Sequence, residues 1–111
     1  MVLVKVFSTN GRITKIEIRG HADSDSYGYD LVCAGISSVS VGILNALDIL
    51  TDDTCNLEMK EGYVCIHVKN PMCEVTQCIL KTLVIQLQTM EENYKKYIKI
   101  NQQEVWLWNS V

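Results

Sequence analysis

No uninterrupted apolar run in these 111 residues reaches the ~18–20 that a membrane span needs, so no membrane attachment is expected. Nor is there a basic block. Ten Lys and Arg stand against 13 Asp and Glu, a net charge of −3, which argues against direct nucleic-acid binding through phosphate neutralisation. The opening Met1-Val2-Leu3-Val4-Lys5-Val6-Phe7 has no basic region followed by an apolar stretch and a small-residue cleavage site. It reads as a first strand rather than a signal peptide. No C-x-x-C pair occurs. The five cysteines (Cys33, Cys55, Cys65, Cys73 and Cys78) are odd in number and not spaced as zinc ligands. Reduced thiols in the cytoplasm are therefore expected, with no metal and no other cofactor. Long repeats and low-complexity tracts are missing too.

What remains is ordinary globular composition, 48% apolar and 21% charged, in a length that suits one domain with one core. Residues 2–7 and 12–19 are β-rich and partly alternating, with Asn10-Gly11 between them as a hairpin signal. A two-residue loop would set Val4 opposite Glu17. A three-residue loop over Thr9-Asn10-Gly11 sets Val4 opposite Ile16 and Val2 opposite Ile18, giving one apolar face, and is preferred on that ground. Residues 20–30 read as a long polar loop. A helix is expected from Leu31 to Leu50, with Asp30 as its N-cap and Val32, Ile36, Val39, Ile43, Leu47 and Leu50 as its apolar stripe. Residues 55–60 and 63–69 read as a second hairpin. A second helix is expected from Pro71 to about Tyr94, its stripe being Val75, Ile79, Leu83, Leu87, Met90 and Tyr94. The order β-β-α-β-β-α implies an α+β fold, a single sheet with two helices packed against it. The expected domain covers residues 1–100. Residues 101–111, with Trp106 and Trp108, form a C-terminal tail.

Chemistry concentrates near Cys33. The expected helix places this thiol in its first turn, where unpaired N–H groups and the helix dipole favour a thiolate. His21 lies in the preceding loop, and its imidazole could take the thiol proton and return it to a leaving amine. Asp30, Cys33 and Ser37 share one helix face, away from the core stripe. Each has a plainer reading: Cys33 as packing, Asp30 as a cap, Ser37 as a small residue for close approach, Tyr27 and Tyr29 as covers for apolar surface, and Asp23 and Asp25 as a solvated loop face. His67 reads as an ordinary sheet residue.

The segments Gly20-His21-Ala22 and Gly28-Tyr29-Asp30-Leu31-Val32-Cys33-Ala34-Gly35-Ile36-Ser37 resemble the ribosomal-processing cysteine protease family Prp. That pattern joins G-H-A to G-x-D-aliphatic-V-C-A with a serine four residues after the cysteine, and every element is present. The order of elements agrees over residues 1 to about 100. The resemblance implies a cytoplasmic, generally homodimeric peptidase that removes an N-terminal extension from one large-subunit ribosomal protein, the one numbered twenty-seven. Its precursor would be the substrate and partner. Carried over by position, His21 and Cys33 are catalytic. Gly20, Asp30 and Ser37 support the site or bind substrate. Backbone N–H groups at the helix start would stabilise the oxyanion. Two other classes stay open: a non-catalytic dimeric module that binds the ribosome, and a thiol redox sensor centred on Cys33, the latter without a resolving cysteine in C-x-x-C.

Overall fold

Asn10 (φ 53°) and Gly11 (φ 75°) both take the left-handed conformation, which makes the first turn a two-residue primed turn that continues the twist of its strands. The expected three-residue loop does not form. Yet the apolar residues still face one another, because strand β1 (Val2–Thr9) and strand β2 (Arg12–Arg19) change register partway along. Near the turn Thr9 pairs Arg12 and Ser8 pairs Ile13. Beyond a bulge at Thr14, Phe7 pairs Lys15, Val6 pairs Ile16 and Val4 pairs Ile18. One extra residue on β2 thus brings Val2, Val4, Val6, Ile13, Ile16 and Ile18 to a single buried face. Thr14 Oγ1 donates to the Phe7 carbonyl (3.2 Å) across the bulge.

The computed structural model describes residues 1–20 and 27–105. The loop residues His21, Asp23 and Asp25, the side chains of Tyr27 and Tyr29, and the tail residues Trp106 and Trp108 lie outside the described residues. After β2 come α1 (Tyr27–Leu50), β3 (Cys55–Lys60), β4 (Tyr63–Val68), α2 (Glu74–Asn93) and β5 (Ile98–Glu104). The strands form one sheet in the order β3-β4-β2-β1-β5, antiparallel except where β5 runs parallel to β1. This is the expected α+β arrangement with one strand more. β5 pairs Val2 with Ile98 through Ser8 with Glu104, so residues 101–104, assigned above to the tail, belong to the sheet.

Both helices contribute to a single core with one face of the sheet. Helix α1 buries Val32, Ile36, Ile43 and Leu47 as its spacing predicts. Its residues 30–50, with mean hydropathy 1.6, are long and apolar enough to cross a membrane by length and composition. The sequence reading did not anticipate this, because the stretch contains polar residues and is no uninterrupted run. Only the stripe of that stretch is buried, while Leu31, Val41, Ile49 and Leu50 are exposed. Leu50, expected in the stripe, is exposed, and Ser40 is buried.

Helix α2 departs further from expectation. It starts at Glu74, and Pro71 belongs to the preceding turn, where the Met72 N–H donates to Asn70 Oδ1 (3.2 Å). Leu83 and Leu87 are buried, but Val75 and Tyr94 are exposed; Thr76, Gln77, Leu80 and Val84 complete the buried face. The two polar members are there because they are satisfied. Thr76 and Thr54 share a hydroxyl–hydroxyl bond (2.7 Å). Gln77 accepts from the Ile13 N–H (2.7 Å) and donates to the Ile13 carbonyl (2.8 Å), closing both backbone valences beside the bulge.

Gln77→Leu leaves that N–H and carbonyl buried without partners. A destabilisation of about 2–4 kcal/mol is expected, read as a lowered urea midpoint with little change in slope.

Candidate active site

The register set by the bulge delivers the end of β2 to a crowded place. Leu3 pairs Arg19, so the next residue, Gly20, lies against Val2. A β-carbon at Gly20 would stand 2.9 Å from Val2 Cα and 3.0 Å from the Met1 carbonyl oxygen. Its φ of 139° is also one that side chains resist. Glycine is therefore required twice over. The Gly20 N–H donates to the Gly62 carbonyl (3.0 Å), which ties the strand end to the β3–β4 turn.

Gly20 forms one wall of a cleft of about 670 Å³. Helix α1 supplies the opposite wall through Asp30, Cys33, Ser37 and Ser40, which recur by threes and fours along one face. The β3–β4 turn (Lys60, Glu61, Gly62) closes the rim, and Val2, Ile18, Ile36 and Val64 form the buried interior. Four of the five expected site residues, Gly20, Asp30, Cys33 and Ser37, thus meet at one cleft. The fifth, His21, lies outside the described residues, directly after Gly20. Cys33 is half-buried and in no disulfide; Asp30 and Ser37 are exposed.

Two expectations about the helix start are corrected. Helix α1 begins at Tyr27, four residues earlier than its apolar stripe indicates, so Asp30 is a first-turn acid and not the N-cap. Cys33 then falls in the second turn, with its own N–H inside the helical ladder. The first-turn N–H groups lie one turn ahead, on the side toward which helical side chains tilt. The dipole acts mainly within the terminal turn, so its help to the thiolate is smaller than a first-turn cysteine would receive. The sequence reading also missed Ser40 and the β3–β4 turn. Ser40 was detectable in principle, since it continues the Cys33–Ser37 face. The turn was not, because only tertiary pairing brings Gly62 to Gly20.

Beneath the cleft, the outer face of the sheet carries a charge cluster. Glu17 Oε2 lies 3.4 Å from Lys15 Nζ and 3.6 Å from an Arg19 guanidinium nitrogen, and accepts from the Tyr63 hydroxyl (3.3 Å). The Arg19 guanidinium stands 4.5 Å from the Tyr63 ring centroid. Burial pushes the Glu17 carboxyl up, but Lys15, Arg19 and the Tyr63 hydroxyl together bring it below the usual value. Tyr63 is pushed up to about 12, first by its hydrogen bond with Cys65 and then by burial. It therefore stays a donor at neutral pH. The cluster braces the two strand ends, Arg19 and Tyr63, that carry Gly20 and Gly62.

Residues 1–99 match the family described as cysteine protease Prp. The ribosomal processing cysteine protease Prp of Staphylococcus aureus is 38% identical over 93 residues, 82% of this chain and 88% of that protein. The Bacillus subtilis counterpart is 29% identical over 94 residues, 79% of this chain and 84% of that protein. Among solved structures, an essential ribosomal processing protease Prp from S. aureus in complex with a substrate peptide superposes with a TM-score of 0.86 at 33% identity, covering 92% of this chain and 99% of that one. The same enzyme with a covalently linked product peptide gives 0.83 at 34% identity, with the same coverage.

Gly20→Ala is expected to cost at least about 2 kcal/mol, from backbone strain and the contact with Val2, and to lower the melting temperature accordingly. The folded pKa of Glu17 is depressed, so its contribution is present above the ordinary carboxyl pKa and is lost as pH falls through the folded value. Glu17→Gln should therefore flatten the acid limb of a urea-midpoint-against-pH curve. An unchanged limb would assign the acid sensitivity to other carboxylates.

Proposed function

The chain belongs to the cysteine protease Prp family, and from that footing we propose that it removes the N-terminal extension of the large-subunit ribosomal protein numbered twenty-seven, with Cys33 as nucleophile and His21 as general base and acid. It would do so in the cytoplasm, as a homodimer. The observation that carries this reading is the convergence of Gly20, Asp30, Cys33 and Ser37 on one cleft, with His21 the residue next to Gly20.

In this mechanism His21 takes the proton from the Cys33 thiol. The thiolate sulfur attacks the scissile carbonyl carbon, and the carbonyl π electrons move to oxygen, forming a tetrahedral oxyanion. N–H donors of the first helical turn, ahead of Cys33, stabilise that charge. As the intermediate collapses, the C–N bond breaks and His21 protonates the leaving amine, the new N-terminus of the mature protein. The extension stays on Cys33 as a thioester until water, deprotonated by His21, releases it. The S. aureus enzyme has likewise been solved in complex with a covalently linked product peptide. Because Cys33 gains only part of the helix-dipole effect, most of the thiol's activation falls to His21. Asp30 and Ser37, exposed along the same helix face, would hold the peptide main chain or orient His21.

The test is mass-spectrometric cleavage of the organism's own precursor by wild type, Cys33→Ala and His21→Ala. A single N-terminal cut by wild type, absent with Cys33→Ala and reduced by at least about 100-fold with His21→Ala, is expected. Binding without cutting by all three would make the protein an adaptor. A cut that survives Cys33→Ala would remove Cys33 from the nucleophile's role.

A further inference from the structure

Ser40 is 1% exposed, lines the cleft, and has the one buried side-chain polar atom among the described residues that finds no hydrogen-bond partner. Hydroxyls in or beside helices normally avoid this by donating to the carbonyl one turn back. Others in this protein do so: Thr82 to Cys78 (2.8 Å), Thr89 to Ile85 (2.9 Å) and Thr51 to Leu47. Ser40 makes no such bond to its own helix. It sits seven residues beyond Cys33 on the same face, about 10 Å along the axis. The other buried residues lining the cleft, Val2, Ile18, Ile36 and Val64, are apolar. An alanine would pack there without leaving a hydroxyl unsatisfied, so the polar atom is a liability to the free protein.

We infer that Ser40 is a specificity residue: its hydroxyl forms the polar end of an inward subsite that takes one substrate side chain, apolar along its length and tipped with a hydrogen-bonding group, such as tyrosine or glutamine. This rests on the proposed protease function and adds the feature of substrate that the cleft selects. A side chain fits this place better than peptide backbone does. Backbone reaching so far in would need partners for both its N–H and its carbonyl, and among the described residues the buried side chains lining the cleft offer one hydroxyl. Away from water that single bond discriminates well, because an apolar tip of the same size would leave Ser40 unpaired.

The test uses full-length protein carrying Cys33→Ala, so that substrate binds and is not consumed. The probe is a synthetic peptide spanning the cleavage site of the precursor, together with versions in which each residue flanking that site is replaced singly by alanine. Adding Ser40→Ala should weaken binding of the parent peptide by about three- to tenfold. One alanine replacement in the peptide should cost affinity when Ser40 is present and cost much less in the protein carrying Ser40→Ala, the signature of a coupled pair. The unliganded Ser40→Ala protein should melt at the same temperature or higher. Equal affinity with and without the hydroxyl overturns the inference while leaving the protease reading intact. So does a Ser40→Ala protein that unfolds or melts lower, since that would make the hydroxyl structural. No binding of the peptide by Cys33→Ala alone overturns the inference and the proposed function together.

Discussion

One extra residue on one strand governs the rest of the molecule. With a two-residue turn at Asn10-Gly11 and no bulge, β1 and β2 would pair Val4 with Glu17, and no common apolar face would exist. The bulge at Thr14 shifts the pairing by one, so Val4 meets Ile18 and Val6 meets Ile16. On its other side β2 pairs β4 only from Lys15 onward, which leaves Ile13 without a strand partner there. Gln77, from a helix 64 residues away in sequence, supplies partners for both the N–H and the carbonyl of Ile13. The docking of α2 is therefore tied to a position on β2 that the register brings to the core face.

The same register shapes the cleft. It sets Gly20 against Val2, where only glycine fits, and from there the backbone bond to Gly62 anchors the strand end on the β3–β4 turn. The cleft is the space left between that anchored corner and the face of α1 that carries Cys33. His21 follows Gly20 directly, so whatever disturbs the corner reaches the proposed dyad through a single peptide bond. The charge cluster of Glu17, Arg19 and Tyr63 reinforces the corner from the opposite side of the sheet.

Much of this was legible in the sequence. Strand alternation, the spacing of Val32, Ile36, Ile43 and Leu47, and the paired G-H-A and D-L-V-C-A segments located the elements and four of the cleft residues. What escaped did so for physical reasons. The Thr14 bulge looks like uninterrupted strand, because its sign is a register and not a residue type. Strand β5 escaped because it is an edge strand whose Asn101, Gln102 and Gln103 show no apolar alternation. The start of α1 escaped because Tyr27-Gly28-Tyr29 precedes the apolar stripe and includes a poor helix former. The buried face of α2 escaped because Thr76 and Gln77 find their partners in distant segments.

Polar residues interrupt the buried face of both helices, and the contrast between them is informative. Thr76 and Gln77 on α2 are satisfied by Thr54 and Ile13, so their polarity serves the fold: it specifies which helix face meets which strand position. Ser40 on α1 specifies nothing of the kind, since its hydroxyl bonds to no group among the described residues. A departure from apolar patterning that is compensated within the protein belongs to stability. One that is not compensated, and that opens onto a cleft, is accounted for by a partner that arrives later. Ser40 meets both conditions: its hydroxyl is unpartnered among the described residues, and it lines the cleft that Cys33 and Gly20 also line.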